Sequence, residues 1–227
     1  MMRRRNTDVL LELVDFQDRI VVDVGSGDGG LARLMTRQGA HVTGIEISER
    51  QIEAAFATPR QGDETYIEGS AESLPFADSS VDIVVFFNSL HHVAVERMDT
   101  AMAESARVLK PGGLLYVTEP LAEGSFFDLC CAVDDETAVR ARALACIRSA
   151  ARFGLTAEKE VLYIHTVVMR DYDSFRERII APNVEREPIV ERLDASLRAA
   201  FQRLGTPTSQ GMGFDQPSRA NLLRRTA

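Results

Sequence analysis

VVDVGSGDGG, residues 21–30, is the stretch from which the rest of this chain is read. Together with Ile20 its first half is IVVDV, a short β-branched run that stops at glycine, the pattern of a buried parallel strand. Glycines then stand at 25, 27, 29 and 30, where a turn needs positive φ or where no side chain must come between the backbone and a ligand. The following GLARLMTRQG has apolar residues at helical spacing and closes at Gly39, a good helix stop. A strand, a glycine turn and a helix in this order place a ligand beside the start of the helix. Gly25, Gly27 and Gly30 also meet the G-x-G-x-x-G spacing, and Glu46 stands 21 positions after Gly25, where a carboxylate would hold a ribose. On these residues alone a nicotinamide or flavin nucleotide stays open.

Working outward, HVTGIEI predicts a second strand, and Ser48-Glu49-Arg50-Gln51 has the form of a capping box ahead of the helix QIEAAFA. TYIEG predicts a third strand, SAESLPFADSS a loop, and VDIVVFF is the most strand-like run of the chain. A helix from about Glu96 to Leu109 ends at Lys110-Pro111-Gly112-Gly113, and LLYVT resumes extended structure. The alternation predicts an α/β fold: a Rossmann-like, doubly wound, mostly parallel sheet with helices on both faces. Residues 121–152 are helical in composition and read as a helical insertion after the fifth strand. EVLYIHTVVM at 160–169 predicts another strand, SFRERII and EPIVERLDASLRAAFQRLG predict helices, and DQPSRANLLRR a final edge strand. The expected organisation is a single domain over 1–227, with a ligand-binding core at 20–120 and helical cover or acceptor-site elements at 121–159 and 171–205.

A chain of 227 residues, 45% hydrophobic and 26% charged, is ordinary for a globular protein, which excludes disordered, collagen-like and coiled-coil classes. No apolar run approaches the ~18 residues of a membrane span. MMRRRNTDVLLELVDF is broken by Glu12 and Asp15 and does not read as a secretory signal, so the expected location is the cytoplasm. Cys130, Cys131 and Cys146 are odd in number and lack metal spacing, so they read as reduced core residues. A net charge of −8 speaks against nucleic acid held on a broadly basic surface. Of the 26 basic residues 24 are arginine, scattered among acidic neighbours, which reads as compositional bias and not as a phosphate site.

Four blocks in order resemble the class I S-adenosylmethionine-dependent methyltransferases. They are VVDVGSGDGG, GIEIS, SAESLPF, and VDIVVFFNSLHHV followed by ARVLKPGGLLYVTEP. The subgroup they most resemble contains the ubiquinone and menaquinone C-methyltransferases and related small-molecule methyltransferases; the blocks span about residues 20–120. The resemblance implies S-adenosyl-L-methionine as cofactor and S-adenosyl-L-homocysteine as product. It implies that backbone at Gly25, Ser26 and Gly27 lines the methionine end, that Asp23 and Asn88 hold its amino group, and that Glu46 accepts both ribose hydroxyls. Ile47 would pack on adenine, Ala71 would meet the adenine edge through backbone, and Glu72 would accept its exocyclic amine. Each has a structural alternative: Asp23 as a turn former, Glu46 as a solvated strand end, Glu72 as a loop carboxylate. All sit at or just beyond the ends of predicted strands, where open α/β sheets bind ligands.

His91 and His92 are the candidates in this region for a catalytic base near neutral pH, the alternative being that they pack or bond to backbone. His41 and His165 read as structural. Methyl transfer needs alignment first, and a base only where the acceptor must lose a proton. NSLHH differs from the Asn/Asp-Pro-Pro-aromatic pattern of amino-group methylation on adenine or glutamine, there is no Pro-Cys pair, and the oxygen-ligand cluster that a metal-dependent catechol-type reaction needs cannot be assembled. About 19 residues precede the first strand, fewer than in related enzymes, so residues 121–152 and 171–205 are expected to supply cover. Phe126, Phe127, Tyr172 and Phe175 would then either line an apolar acceptor pocket or pack the insertion. The expected function is methyl transfer to a small apolar or aromatic metabolite, with a nucleic-acid partner disfavoured and a homodimer as a possible assembly. The alternatives are an NAD(P)-dependent oxidoreductase and a catalytically inactive S-adenosylmethionine-binding regulatory or partner protein.

Overall fold

The computed structural model describes residues 1–181 and 183–226; Pro182, inside the expected cover segment 171–205, and Ala227 lie outside the described residues. The strands are β1 (Met2–Arg3), β2 (Ile20–Val24), β3 (His41–Glu46), β4 (Thr65–Glu68), β5 (Val81–Phe87), β6 (Leu109–Pro120), β7 (Leu155–Met169), β8 (Thr206–Thr208) and β9 (Gly211–Arg225). The helices are α1 (Asn6–Leu13), α2 (Gly30–Arg37), α3 (Glu49–Ala57), α4 (Met98–Val108), α5 (Ser125–Cys130), α6 (Thr137–Arg148), α7 (Tyr172–Ile180) and α8 (Glu187–Leu204). The α/β class is as expected. The chain divides into two compact units, one of Thr7–Glu119, Ala141–Val161 and Ala220–Ala227, the other of Met1–Asn6, Pro120–Arg140 and Leu162–Arg219.

The first unit holds the strands read from the glycine stretch. Its order is β4-β3-β2-β5-β6, and every neighbouring pair is parallel. β2 lies between β3 and β5, so Val21, Val22, Asp23 and Val24 are all buried, as a β-branched run enclosed on both faces must be. The core gathers Val22, Val24, Val84, Phe86, Leu115 and Val117 from the sheet against Met98, Met102 and Val108 of α4. Beyond β6 come the ends of β9 (Ala220–Arg225) and β7 (Leu155–Val161), in that order. DQPSRANLLRR therefore does not supply an edge strand: Ala220, Leu222 and Leu223 are buried, as befits a strand with a neighbour on each side. The outer position falls to β7, whose residues Thr156–Glu160 are all exposed and include Glu158, Lys159 and Glu160, charges that discourage further pairing.

The capping box expected at the start of α3 does not form. The Ser48 carbonyl accepts from Gln51 and Ile52, but its side chain caps nothing, and its amide donates to Glu46 Oε1 at 2.9 Å. The strand-end carboxylate has taken over the role given to Gln51.

The second unit has its own core. β1 runs parallel to β7 through Met2 and Arg3, β8 pairs antiparallel with β9, and α7 begins with a true capping box between Asp171 and Ser174. Tyr172, Phe175, Phe201 and Phe214 are buried together, with ring centroids 5.0–6.0 Å apart. Phe126 packs on the same core, and the Arg140 guanidinium sits 5.2 Å over the Phe127 ring. Of the four sequence candidates for an acceptor pocket, Phe126, Tyr172 and Phe175 thus pack their own unit, while Phe127 is half-buried beneath Arg140. The three cysteines are free thiols; burial pushes Cys130 up to about 12 and Cys146 up to about 11. Among the described residues no helix is long and apolar enough to cross a membrane.

Phe86 is fully buried in β5 within the core of the first unit. Phe86→Ala is expected to destabilise the protein by about 3–5 kcal/mol, read from urea unfolding followed by circular dichroism.

Candidate active site

At the end of β2 the chain turns by using glycine where nothing else fits. Gly25 has φ +74°, and a Cβ there would stand 2.6 Å from the Cβ of Ser89. Ser89 cannot retreat easily, because its hydroxyl donates to the Val24 carbonyl at 2.6 Å. At Gly29, φ +77°, a Cβ would collide with the Tyr66 ring, its hydroxyl only 2.4 Å away. The amides of Gly25 and Ser26 both donate to the Ile45 carbonyl, at 2.8 and 3.1 Å, which fastens the turn to β3.

Glu46, the last residue of β3, completes the fastening. Its Oε2 accepts from the Gly27 amide at 2.8 Å, and its Oε1 from the amides of Ile47 and Ser48, both at 2.9 Å. A carboxylate offers roughly four acceptor directions, so three are occupied by backbone. The expectation that Glu46 accepts two ribose hydroxyls therefore carries a condition: at least one of these amides must be released.

A cavity of about 510 Å³ opens beside this turn. Of the residues predicted from sequence, Gly25, Glu46, Ile47, Ala71, Glu72, Asn88 and His92 line it; Asp23, Ser26, Gly27 and His91 do not. Ile47 is 74% exposed and offers an apolar surface at the mouth. Glu72 lies 3.9 Å from Arg97, a wall residue that sequence reading passed over. Asn88 adopts φ +57° while its amide donates to the Thr118 carbonyl at 2.8 Å, a left-handed conformation that asparagine tolerates better than most residues.

Beneath the turn lie two orphaned polar atoms. Asp23 Oδ2 and Ser26 Oγ are buried without a hydrogen-bond partner among the described residues. Burial, and then the charge of Glu46, push the Asp23 carboxyl up to about 7.

The two histidines part company. His91 is buried, and its Nδ1 is paired with Glu119 Oε2; only His92 reaches the cavity wall. Glu119, near the end of β6, also accepts from the Leu90 amide at 3.0 Å. It was missed in YVTEP, although it stands near the C-terminal end of its strand just as Asp23 and Glu46 do.

A carboxyl whose pKa is raised on folding contributes stability while it is protonated, in full below about 3.8, and that contribution is lost as pH rises through about 7. The ligand-free protein is therefore expected to lose stability across this window, on the order of 4 kcal/mol from Asp23. Asp23→Asn should flatten that slope in urea unfolding measured at a series of pH values.

Residues 22–117 match a family described as a methyltransferase domain. Malonyl-[acyl-carrier protein] O-methyltransferase of Pectobacterium atrosepticum is 31% identical over 129 residues, 56% of this chain and 49% of that protein. Demethylmenaquinone methyltransferase of Tropheryma whipplei is 37% identical over 99 residues, 44% of this chain and 41% of that one. The chain thus spans less than half the length of these curated relatives. Among solved structures, the YcgJ protein of Bacillus subtilis superposes with a TM-score of 0.68 at 22% identity, covering 97% of each chain, which is a likeness of fold. The stretch that matches the methyltransferase domain, residues 22–117, carries every sequence-predicted residue that lines the cavity.

Proposed function

We propose that this protein transfers a methyl group from S-adenosyl-L-methionine to a small apolar or aromatic metabolite, leaving S-adenosyl-L-homocysteine. The observation that carries the reading is a cavity whose wall holds both Glu46 and Glu72 together with apolar Ile47, Ala71 and Val93. That set fits an adenosyl group. Carboxylates accept and never donate when ionised, so Glu46 suits ribose hydroxyls and Glu72 suits an exocyclic amine. In this reading Ile47 covers the flat base and Asn88 holds the amino acid end. The orphaned Asp23 carboxylate and Ser26 hydroxyl fit a cationic or donor-bearing group reaching the turn, directly or through water.

When bound, this cofactor supplies an electrophilic methyl group on a sulfonium. The residues of the chain then have to align the acceptor and exclude water, and orientation alone is worth about 7–11 kcal/mol of barrier. His92, on the cavity wall, would take a proton from an acceptor that must lose one, and is dispensable for an acceptor already ionised. The demethylmenaquinone and malonyl-[acyl-carrier protein] named for the two relatives are the first acceptors to screen.

S-adenosylmethionine and S-adenosylhomocysteine are expected to raise the melting temperature, and NAD and NADP to leave it unchanged. A ligand at about 100 times its Kd adds about 2.7 kcal/mol to stability. Glu46→Ala should weaken S-adenosylhomocysteine binding by about 10–100-fold in calorimetry, the worth of losing hydrogen bonds to a charged acceptor. An unchanged Kd would remove the ribose assignment, and stabilisation by a nicotinamide nucleotide alone would overturn the function.

A further inference from the structure

We propose that Glu119 and His91 form a positioning pair that sets the orientation of the His92 ring at the cavity. As a statement about His92 it stands on the geometry alone; as a statement about methyl transfer it rests on the function proposed above.

The loop from Asn88 to Val93 is held from two sides. The Asn88 amide donates to the Thr118 carbonyl of β6 at 2.8 Å, and the Ser89 hydroxyl to the Val24 carbonyl of β2 at 2.6 Å. Glu119 then takes two further donors from the loop with its two oxygens: the Leu90 amide on Oε1, and the His91 ring nitrogen Nδ1 on Oε2. Both side chains of that last pair are under a tenth exposed, so neither is free to swing into solvent. A buried carboxylate that bonds a ring nitrogen and a neighbouring amide at once fixes both the position and the rotation of the imidazole. The acceptor on Nδ1 makes that nitrogen the proton-bearing one.

The fixed ring is also a platform. The centroids of His91 and His92 are 4.0 Å apart with 45° between their planes, and His92 is the member on the cavity wall. The short 3-10 turn Leu90–His92, closed by the His92 and Val93 amides on the carbonyls of Ser89 and Leu90, gives the second ring little backbone freedom. The His91 ring lies directly against it, so a change in how His91 is held changes the surroundings of the His92 ring. Glu119 thus acts on His92 through His91 and is a positioning residue, with no contact to the cavity.

Glu119→Gln tests this with little change of volume. The amide oxygen can still accept from Leu90, but the amide nitrogen can only donate to His91 Nδ1, which forces the opposite tautomer. The chain has four histidines, so each imidazole can be assigned by single substitution in nitrogen-15 correlation spectra. With S-adenosylhomocysteine as the probe ligand, the substitution is expected to exchange the His91 tautomer and to move the His92 resonances. His41 and His165 should stay in place, and the Kd of the probe should change less than about threefold. His92 resonances that stay in place while His91 changes tautomer would overturn the pairing. His91→Gln, which keeps a donor for Glu119 but removes the ring, is the second variant should Glu119→Gln fail to fold; it too must move His92. Failure of the wild-type protein to bind the probe would sink the proposed cofactor and leave the His92 shifts to decide the positioning role. With a methyl acceptor in hand, Glu119→Gln should lower kcat several-fold with KM little changed, and should add nothing further in a His92→Ala background; additive losses would mean that Glu119 serves only the fold.

Discussion

A parallel strand that ends in a loop leaves backbone donors without ladder partners, and a buried N–H must be given an acceptor. In this chain the acceptors are carboxylates placed at the ends of neighbouring strands. Glu46 at the end of β3 takes the amides of Gly27, Ile47 and Ser48, and Glu119 near the end of β6 takes that of Leu90. The turn after β2 and the loop after β5 are each shaped by a side chain belonging to the next strand over. The cavity lies between these loops, so its walls keep their places because the sheet keeps its register.

The same arrangement stores electrostatic cost. Asp23 is buried in β2, lacks a partner on one oxygen, and feels the charge of Glu46. A leucine or valine there would satisfy the core better. Where one position breaks the pattern that its neighbours Val21, Val22 and Val24 obey, the expense points to binding in preference to folding. The left-handed Asn88 is a second small expense at the same site.

These physical reasons separate what the chain discloses as a sequence from what it withholds. The strands β2 and β5 were legible because a central parallel strand is apolar on both faces, which leaves the nearly continuous apolar runs IVVDV and VDIVVFF. Gly25 was legible because its conformation is available to few other residues. β9 was misplaced at an edge because Asp215, Gln216 and Arg219 dilute its apolar pattern, although the strand is interior beside β6. Tyr172 and Phe175 looked as suitable for a pocket as for a core, and composition cannot tell a ring that faces a ligand from one that faces Phe201. The division between His91 and His92 was hidden for a related reason: adjacent residues of one type differ only in what the fold sets opposite them, here Glu119 for one and the cavity for the other.

The glycine spacing by itself admitted a dinucleotide, and the hydrogen bonds of the turn argue against one. A pyrophosphate at the start of a helix needs free amides pointing at it, with the helix dipole unopposed. Three amides of the turn leading into α2 are already taken: Gly27 by Glu46, Gly29 by the Ser26 carbonyl at 3.0 Å, and Gly30 by Asp28 Oδ1 at 3.0 Å. Two of the three acceptors are carboxylates, so an incoming anion would meet negative charge as well as occupied donors. On the cavity wall Glu72 adds a further carboxylate, with Arg97 3.9 Å from it. A wall rich in acceptors repels phosphate and suits a ligand that brings hydroxyl, amine and sulfonium groups, which makes charge, more than glycine count, the property that distinguishes this turn from a dinucleotide fold.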